Sequence, residues 1–309
     1  MNDKKIIFMG TPDIAAQHLN SLIENNLNII SIFTQPPRKK NRGMRVEESQ
    51  VHKIAKKNNL EIFYPTSIDD SVIELTKSLY PDLIIVVAYG IILPKEFLNI
   101  PKYGCINIHV SLLPRWRGAA PIEHALLEGD VNTGISIINI SPELDAGDIL
   151  MQESFSIDKN MYSDDLTSTL TNLGKKTMMK VLPLLFESKI TAKKQNENKV
   201  TYANKFSSKD RKINFNNSTE EVYNHIRAHG PNPGSWFIYK GERIKILKAT
   251  KTVNLGEKST ILNKDFMLAC NDGSILPSLI QREGKKAVNL DDFLRGFTFS
   301  IHDKLNAEL

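Results

Sequence analysis

Two polar side chains interrupt an apolar segment near the middle of the 309-residue sequence. Asn107 and His109 lie two positions apart in the run CINIHV. Because alternate side chains of a strand point to the same face, this spacing predicts that the amide and the imidazole lie side by side. An imidazole takes or gives a proton near neutral pH, and an amide donates to a developing oxyanion. The pair is a candidate catalytic site; a turn-capping Asn and a hydrogen-bonded strand-end His are the alternative.

Two loops favour the catalytic interpretation. The first, SLLPRWRG, follows His109 directly and is placed where ligands bind in open α/β sheets, beyond the C-terminal end of a strand. The second lies in IINISPELDAGDI and carries Glu143, Asp145 and Asp148 around Gly147. A carboxylate beside an active-site histidine orients the ring and stabilises its charged form, whereas a solvated surface turn is the alternative. Spacing alone does not bring Asp145 to His109.

Other enzyme classes lack their signatures here. The first apolar run ends in GTPD without GxGxxG, and the chain has no GxxxxGK[ST], GxSxG or HExxH. Ser111 is not expected to be a nucleophile. Cys105 and Cys270 have no Cys or His neighbours at metal-ligand spacing, so we expect no metal, no disulfide scaffold and a cytoplasmic location. The apolar run at residues 6–9 is too short for a signal peptide or a membrane span.

The elements that must position these residues follow from the apolar pattern. Short apolar runs alternate with amphipathic stretches over about the first 180 residues, which predicts an α/β domain (residues 1–187) with a mostly parallel sheet. The run LIIVV is apolar on both faces, as expected for a central parallel strand. The expected strands are residues 5–10, 28–34, 61–64, 82–88, 105–110 and 134–140, and the expected helices include residues 71–80 and 164–187.

The pattern changes after this domain. Residues 188–202 are polar, so residues 188–206 are predicted to form a linker or a solvated crossover. Short β-branched segments with turn pairs such as Lys240-Gly241 follow, which predicts a small antiparallel barrel in residues 207–309. The expected strands are residues 235–239, 243–250, 259–262, 266–270 and 275–281, between helices at residues 219–228 and 289–293.

The formal charge of +5 is unevenly distributed. Residues 1–200 hold 23 Lys and Arg against 23 Asp and Glu, whereas residues 201–309 hold 17 against 12. The whole excess therefore lies in the C-terminal barrel, where it suits contact with a phosphate backbone. In the first domain, PPRKKNRGMRV at residues 36–46 carries five basic residues and no acid.

Several motifs together resemble one enzyme family. NIHVSLLPRWRGAAPI and the DAGD segment resemble the folate-dependent formyltransferases, and KIIFMGTPDIA, TQPPR, VVAYGIILP, VTYANKF and HIRAHGPNPGSW occur in the same order as in the methionyl-tRNA branch of that family. The likeness runs from about residue 4 through the C-terminal domain. It implies a Rossmann-like formyltransferase domain followed by an OB-fold-like barrel that binds tRNA.

The resemblance also implies the reaction and its residues. The formyl group of 10-formyltetrahydrofolate would pass to the methionine amine of initiator Met-tRNA, with Asn107, His109 and Asp145 as the catalytic residues. Folate and initiator methionyl-tRNA are then the partners, and we expect no obligate protein partner. The implied folate-binding residues lie in two segments of the first domain: Val87, Ala88, Tyr89, Gly90, Leu93, Ser111, Leu112, Leu113 and Pro114.

By the same resemblance the basic segment grips the acceptor end of tRNA. Its implied contacts are Arg38, Lys39, Lys40, Arg42 and Arg45. A solvated charged loop is the alternative explanation, and the barrel has its own alternative as a stabilising appendage.

Two other functions compete with formylation of tRNA. A sugar-nucleotide N-formyltransferase shares the Asn, His and Asp arrangement, but it gives no reason for the basic segment. A catalytically silent nucleic-acid-binding module leaves the three polar residues unexplained. An assay with the formyl donor and either Met-tRNA or a UDP-amino sugar as acceptor distinguishes the two enzymes from each other and from the silent binding module.

Neutralising Arg38 together with Arg42 should mainly raise the KM for tRNA. The substitutions remove cations that would displace counterions from the phosphate backbone, so the salt dependence of KM should flatten. Steady-state kinetics over a salt series measures both effects. An unchanged salt slope would show that this segment does not touch tRNA.

Overall fold

The computed structural model describes residues 3–40 and 45–306, and only the backbone at positions 39, 40, 45 and 46. The chain forms two compact units that each take three pieces of sequence. Unit 1 holds Met1–Gly118, Thr133–Phe155 and Thr169–Tyr202, and unit 2 holds Ala119–Asn132, Ser156–Ser168 and Ala203–Leu309.

The strands, in chain order, are β1 (Ile6–Gly10), β2 (Ile29–Phe33), β3 (Arg38–Lys40), β4 (Arg45–Glu47), β5 (Ile62–Phe63), β6 (Leu83–Val87), β7 (Cys105–His109), β8 (Arg117–Gly118), β9 (Asn132–Asn139), β10 (Ile149–Ser156), β11 (Tyr202–Ala203), β12 (Ser235–Tyr239), β13 (Glu242–Thr252), β14 (Leu268–Ala269), β15 (Ser274–Arg282) and β16 (Val288–Asn289). The α-helices are α1 (Asp13–Glu24), α2 (Gln50–Lys57), α3 (Asp70–Ser78), α4 (Lys95–Leu98), α5 (Pro121–Leu127), α6 (Ser163–Phe186), α7 (Thr219–His229) and α8 (Leu290–Arg295).

The central sheet of unit 1 has the order β10-β9-β7-β6-β1-β2-β5. Strands β5, β2, β1, β6 and β7 pair in parallel, which confirms the predicted α/β architecture with a mostly parallel sheet. Strands β1 and β6 are buried along their whole length, because helices cover both faces of a parallel sheet. Side chains that cap their own first turn start α2 and α3: Ser49 and Asp69 accept from backbone amides three residues on.

One edge of this sheet has features that the prediction of a mostly parallel sheet left open. Strand β9 pairs antiparallel with β7, and β10 lies beyond it. Strand β9 is buried from Thr133 to Ile138, on both faces, so its pattern does not indicate the direction of the strand. Strand β10 alternates between covered and exposed positions and contains Gln152 and Glu153, so its weak apolar signal did not stand out as a strand.

Unit 2 contains a curled antiparallel sheet with the order β12-β13-β15-β14, and β16 pairs with β15. The predicted turn at Lys240-Gly241 joins β12 to β13, and both residues have positive φ, at 47° and 78°. The register between β13 and β15 shifts on either side of Lys248, which bends the ribbon as bulges do. In the predicted strand at residues 259–262, Thr260 and Ile261 each form an isolated bridge instead of a continuous strand.

The core of unit 2 includes a residue from far earlier in the chain. The Tyr162 hydroxyl donates to the Ala249 carbonyl at 3.1 Å and accepts from the Ala249 amide at 2.9 Å. Burial raises the pKa of Tyr162 to about 12. This phenol packs in one apolar cluster with Phe215 and Phe237, so the core of unit 2 depends on the start of α6.

A buried histidine lies behind the strand that carries the candidate catalytic residues. His18 on α1 is 2% exposed, and its Nδ1 donates to the Ile14 carbonyl at 3.0 Å. Its Nε2 has no partner among the described residues, and a side chain at Gly174 would come within 2.8 Å of it. Burial, with a smaller contribution from Lys175, lowers the pKa of His18 from 6.5 to about 4.

Replacing His18 should weaken the acid sensitivity of unit 1. The unfolded chain binds a proton at His18 below pH 6.5 and the folded chain only below about pH 4, so folding is destabilised as the pH falls through that window. A pKa shift of this size changes the free energy of unfolding by about 3 kcal/mol at most. His18→Gln should reduce the loss of unfolding free energy between pH 7 and pH 4.5, measured by urea denaturation. The exposed His302→Gln is the matched control, and equal acid sensitivity in both variants would contradict the prediction.

Candidate active site

Strand β7 holds Asn107 and His109 in the interior of the unit 1 sheet. Asn107 is opposite Val86 of β6, and His109 is opposite Ser136 of β9. The apolar residues that alternate with them are buried, which fixes the face on which the two polar side chains lie. His109 is only 5% exposed, whereas Asn107 is half-buried.

The structure brings Asp145 to both of these side chains. Asn107 Nδ2 donates to Asp145 Oδ1 at 3.3 Å, and His109 Nδ1 lies 3.5 Å from Asp145 Oδ2. The backbone amide of Gly118 also donates to Oδ2, at 2.9 Å. Each oxygen of one carboxylate therefore holds a different residue of the pair, and the loop after β7 contributes a further donor.

The loop that presents Asp145 has an unusual backbone. Asp145 has a φ of +48°, in the left-handed region that costs a non-glycine residue about 1 kcal/mol or more. At Gly147 a side chain would come within 1.7 Å of the Asn139 carbonyl oxygen, so only glycine fits there. This close approach turns the chain back and points the Asp145 carboxylate toward β7.

The two ring nitrogens of His109 both face oxygen acceptors. Nε2 lies 2.8 Å from the main-chain oxygen of Trp116, and because a carbonyl only accepts, Nε2 carries a proton. In the neutral ring Nδ1 would then turn a bare lone pair toward the Asp145 carboxylate. At 3.5 Å from Nδ1, the carboxylate would stabilise the ring when both nitrogens carry a proton, because opposite charges attract.

The loop after β7, where folate contacts are expected, is fastened internally. The Ser111 hydroxyl donates to the Arg115 carbonyl at 2.6 Å, so it is not arranged as a nucleophile. Ser136 Oγ accepts from the Leu113 amide at 3.0 Å, and Gln152 Nε2 donates to the Leu113 carbonyl at 2.9 Å. Ser111 and Leu113 are buried, while Leu112 and Pro114 are half-buried and lie nearer the surface.

The second expected folate loop follows β6, the parallel neighbour of β7, so both loops leave the sheet at the same edge. Val87, Tyr89 and Leu93 are buried, whereas Ala88 and Gly90 are exposed with φ of +46° and +79°. Gln35 Nε2 donates to the Tyr89 carbonyl at 2.9 Å and holds the loop. The Tyr89 hydroxyl is buried with no partner among the described residues, and burial raises its pKa well above the usual range.

Part of the basic segment forms a β-ribbon rather than the expected loop. Strands β3 and β4 pair antiparallel, with Arg38 opposite Glu47 and Lys40 opposite Arg45. The Arg38 side chain is exposed. Arg42 lies outside the described residues, and for Lys39, Lys40 and Arg45 only the backbone is described. The ribbon begins just after β2, one strand removed from β6 in the same sheet.

Several residues around Asp145 escaped the sequence reasoning. Arg117 and Trp116 lie in the loop after β7, for which the sequence predicts a position near a ligand but no role for either residue. Gln195 and Glu197 lie in the segment predicted as a linker. Gln195 Nε2 donates to the carbonyl oxygens of Asp145, at 2.7 Å, and of Gly147. No periodicity or motif in the sequence points to this contact, because it joins loops 50 residues apart.

Neither a metal site nor a membrane-spanning helix emerges from the described residues. In those parts of the chain no group of three His, Cys, Asp or Glu side chains could hold a metal ion. No helix in the same parts is long and apolar enough to cross a membrane. Both cysteines are buried and free.

Comparison with known proteins gives a consistent result for both parts of the chain. Residues 4–182 match the formyl transferase family, and residues 205–298 match the formyl transferase C-terminal domain. The methionyl-tRNA formyltransferase of Rickettsia bellii is 37% identical over 304 residues, covering 97% of this chain and 99% of that protein. The protein of that name from Pelagibacter ubique is 39% identical, with 95% and 96% covered.

Solved structures of more distant proteins share the fold. An N-formyltransferase from Helicobacter canadensis in complex with folinic acid and dTDP-3-aminofucose is 21% identical and covers 90% of this chain and 99% of its own, with a TM-score of 0.67. HypX from Aquifex aeolicus in complex with tetrahydrofolic acid is 16% identical and has a TM-score of 0.67. That likeness covers all of this chain and 51% of HypX.

Proposed function

The chain belongs to the formyl transferase family, and on that premise we propose that it transfers the formyl group of 10-formyltetrahydrofolate to the α-amino group of methionine on initiator Met-tRNA. The observation that carries the proposal is the 37–39% identity to methionyl-tRNA formyltransferases over nearly the whole of both chains. A likeness confined to the first domain would have indicated formyl transfer without an acceptor. This likeness extends through the C-terminal domain.

The geometry around β7 supports this chemistry. The methionine amine attacks the formyl carbon, a new C–N bond forms, and the formyl oxygen gains negative charge in a tetrahedral intermediate. The Asn107 amide has a second N–H besides the one on Asp145, and we assign it to this oxygen together with the His109 imidazolium. Removing one such donor typically costs about 10²- to 10³-fold in rate.

The intermediate collapses when the bond from the formyl carbon to the folate N10 breaks. The proton lost by the amine has to reach N10, and we assign its transfer to His109. The proton that His109 would exchange is the one on Nε2, which points at the Trp116 oxygen in the structure. In this assignment the imidazolium gives its Nε2 proton to N10, and the neutral ring takes up the proton that the amine loses. The Asp145 carboxylate stabilises the charged form of the ring and orients the ring through Nδ1. The products are formyl-Met-tRNA and tetrahydrofolate.

Folate binding is proposed for the loops after β6 and β7, which leave adjacent parallel strands at one edge. The apolar side chains of the β6 loop and the half-buried Leu112 and Pro114 suit the flat ring system of a pterin. The firm anchoring of both loops by Gln35, Ser136 and Gln152 means that this surface is largely formed before a ligand binds.

Binding of tRNA is proposed for two basic surfaces, one in each unit. The first is the β3–β4 ribbon with its exposed Arg38. The second is in unit 2, where Arg243 stacks on the Trp236 ring at 4.2 Å and Lys245 is opposite Trp236 in the β12–β13 ladder. Burial and the nearby charges of Arg211 and Arg243 lower the pKa of Lys245. Crowded cations around an aromatic ring are typical of a surface that binds nucleic acid.

The proposed substrate also bears on location and partners. Charged initiator tRNA is present where proteins are synthesised, so we propose that the enzyme works in the cytoplasm. Catalysis as described requires only residues of this chain, and we propose that it acts without an obligate protein partner or a metal ion.

One assay tests the proposed reaction and its residues. Purified protein with 10-formyltetrahydrofolate should formylate initiator Met-tRNA strongly, elongator Met-tRNA weakly and a UDP-amino sugar not at all. His109→Ala and Asp145→Ala should each lower the rate by about 10²-fold or more, because each removes charge stabilisation from the reacting centre. Circular dichroism should show both variants folded. Formylation of the amino sugar in preference to tRNA would overturn the proposal, and near-wild-type turnover in either variant would overturn the assigned roles.

The unit 2 surface can be tested by removing two of its charges. Arg243→Gln combined with Lys245→Gln should raise the KM for Met-tRNA, leave kcat unchanged and reduce the slope of log KM against log salt by about 1 to 2. The matched control removes the same charge elsewhere on unit 2, with the exposed Lys285→Gln and Lys286→Gln. The same rise in KM for Met-tRNA in both double variants would mean that the overall charge of unit 2 affects binding and that this surface has no special role.

A further inference from the structure

Gln195 lies in a polar segment of the chain, yet its side-chain amide is fully used. Its Nε2 donates to the carbonyl oxygens of Asp145 at 2.7 Å and Gly147 at 2.8 Å, which accounts for both of its hydrogens. Its Oε1 accepts from Arg117 Nε at 3.0 Å. One amide therefore joins the loop that presents Asp145 to the loop that follows β7.

Arg117 holds this amide from the other side. The Arg117 side chain is buried, and its two terminal nitrogens donate to the two carboxylate oxygens of Glu197, at 2.7 Å and 3.3 Å. A buried guanidinium requires such partners, because an unpaired charge away from water is very costly. The hydrogen bond from Arg117 lowers the pKa of Glu197, which favours the charged carboxylate. The order of contacts is Glu197, Arg117, Gln195 and then the Asp145 backbone.

Backbone contacts fix both ends of the segment that carries Gln195. Lys193 exchanges two hydrogen bonds with Ile149, each at 2.8 Å. At the other end the Thr201 carbonyl accepts from the Arg117 amide at 2.9 Å, and Thr201 Oγ1 accepts from the Trp116 amide at 2.9 Å. The Trp116 carbonyl is the group that faces His109 Nε2. The segment thus braces both protein contacts of the His109 ring.

The backbone of Asp145 needs such support. Its φ of +48° is unfavourable for a residue with a side chain and persists only when the surroundings enforce it. Gln195 binds the carbonyl of this very residue and that of Gly147, where the chain turns. The geometry points to Gln195 as a positioning residue: through the backbone of Asp145 it holds the carboxylate on Asn107 and His109, and Arg117 and Glu197 hold Gln195. This inference rests on the proposed formyl transfer, since it assigns the residue to that reaction.

Two substitutions at Gln195 test the inference. Gln195→Met keeps the length of the side chain and removes its hydrogen bonds, and Gln195→Glu keeps the Arg117 contact but turns an oxygen toward the two carbonyls. Each should lower kcat about 10- to 100-fold, the effect of displacing a catalytic group by around 1 Å. The KM values for folate and tRNA should stay within about twofold, because Gln195 lies outside the loops and surfaces to which we assign these two substrates. Gln17→Met, at an exposed position of α1, is the matched control and should retain full activity.

A double-mutant cycle separates positioning from general structural support. In the Asp145→Ala background, Gln195→Met should cost less than about threefold in the single-turnover rate, because the group that it positions is gone. A residue that only stabilises the fold would cost the same factor in both backgrounds. An equal factor would overturn the inference, as would wild-type kcat in both Gln195 variants.

A structural readout keeps this inference separate from the proposed function. If the wild type fails to formylate any tRNA, the proposed function has failed. Crystal structures of the two Gln195 variants then decide separately whether Gln195 positions the Asp145 carboxylate. The distance between His109 Nδ1 and Asp145 Oδ2, 3.5 Å in the wild type, should increase in both. If it is unchanged in both variants, Gln195 does not position Asp145.

Discussion

The candidate site depends on one carboxylate whose two oxygens are divided between two residues of a single strand. Asp145 reaches Asn107 with one oxygen and His109 with the other, and the second oxygen also accepts from the Gly118 amide. Asn107 and His109 each make a different demand on this carboxylate. A histidine that carries a proton on both nitrogens needs an anion nearby, and an amide that donates to a substrate needs to be held still.

This division of one carboxylate constrains a large part of unit 1. The strand must present its polar residues on one face, which the burial of their apolar neighbours ensures. The Asp145 loop must turn through a position where only glycine fits, at Gly147. The loop after β7 must bring two backbone groups, the Trp116 oxygen and the Gly118 amide, to within 3 Å of the site. These constraints act on β7, on the loop that follows it and on the loop that carries Asp145.

The strand that carries Asn107 and His109 could be predicted from its own residues, because alternation of polar and apolar residues indicates a strand without knowledge of the neighbouring strands. The local pattern also predicted β1, β2 and β6, whose runs are apolar on both faces. It gave no direction for β9, since burial on both faces looks the same in parallel and antiparallel strands. The role of Gln195 could not be predicted either. Its Nε2 binds two carbonyl oxygens, and the residue type at those positions has no bearing on whether a carbonyl is free to accept.

The interleaved composition of the two units affects how the protein is made. Helix α5 ends at Leu127 and packs against α7, which begins at Thr219. At about 5 to 20 residues per second the ribosome needs roughly 5 to 20 s to produce the chain between them. During that interval the buried face of α5, including Ala125 and Leu126, has been synthesised but its partner helix has not. Unit 2 therefore completes its fold late in translation, and this apolar face of α5 has no partner helix until then.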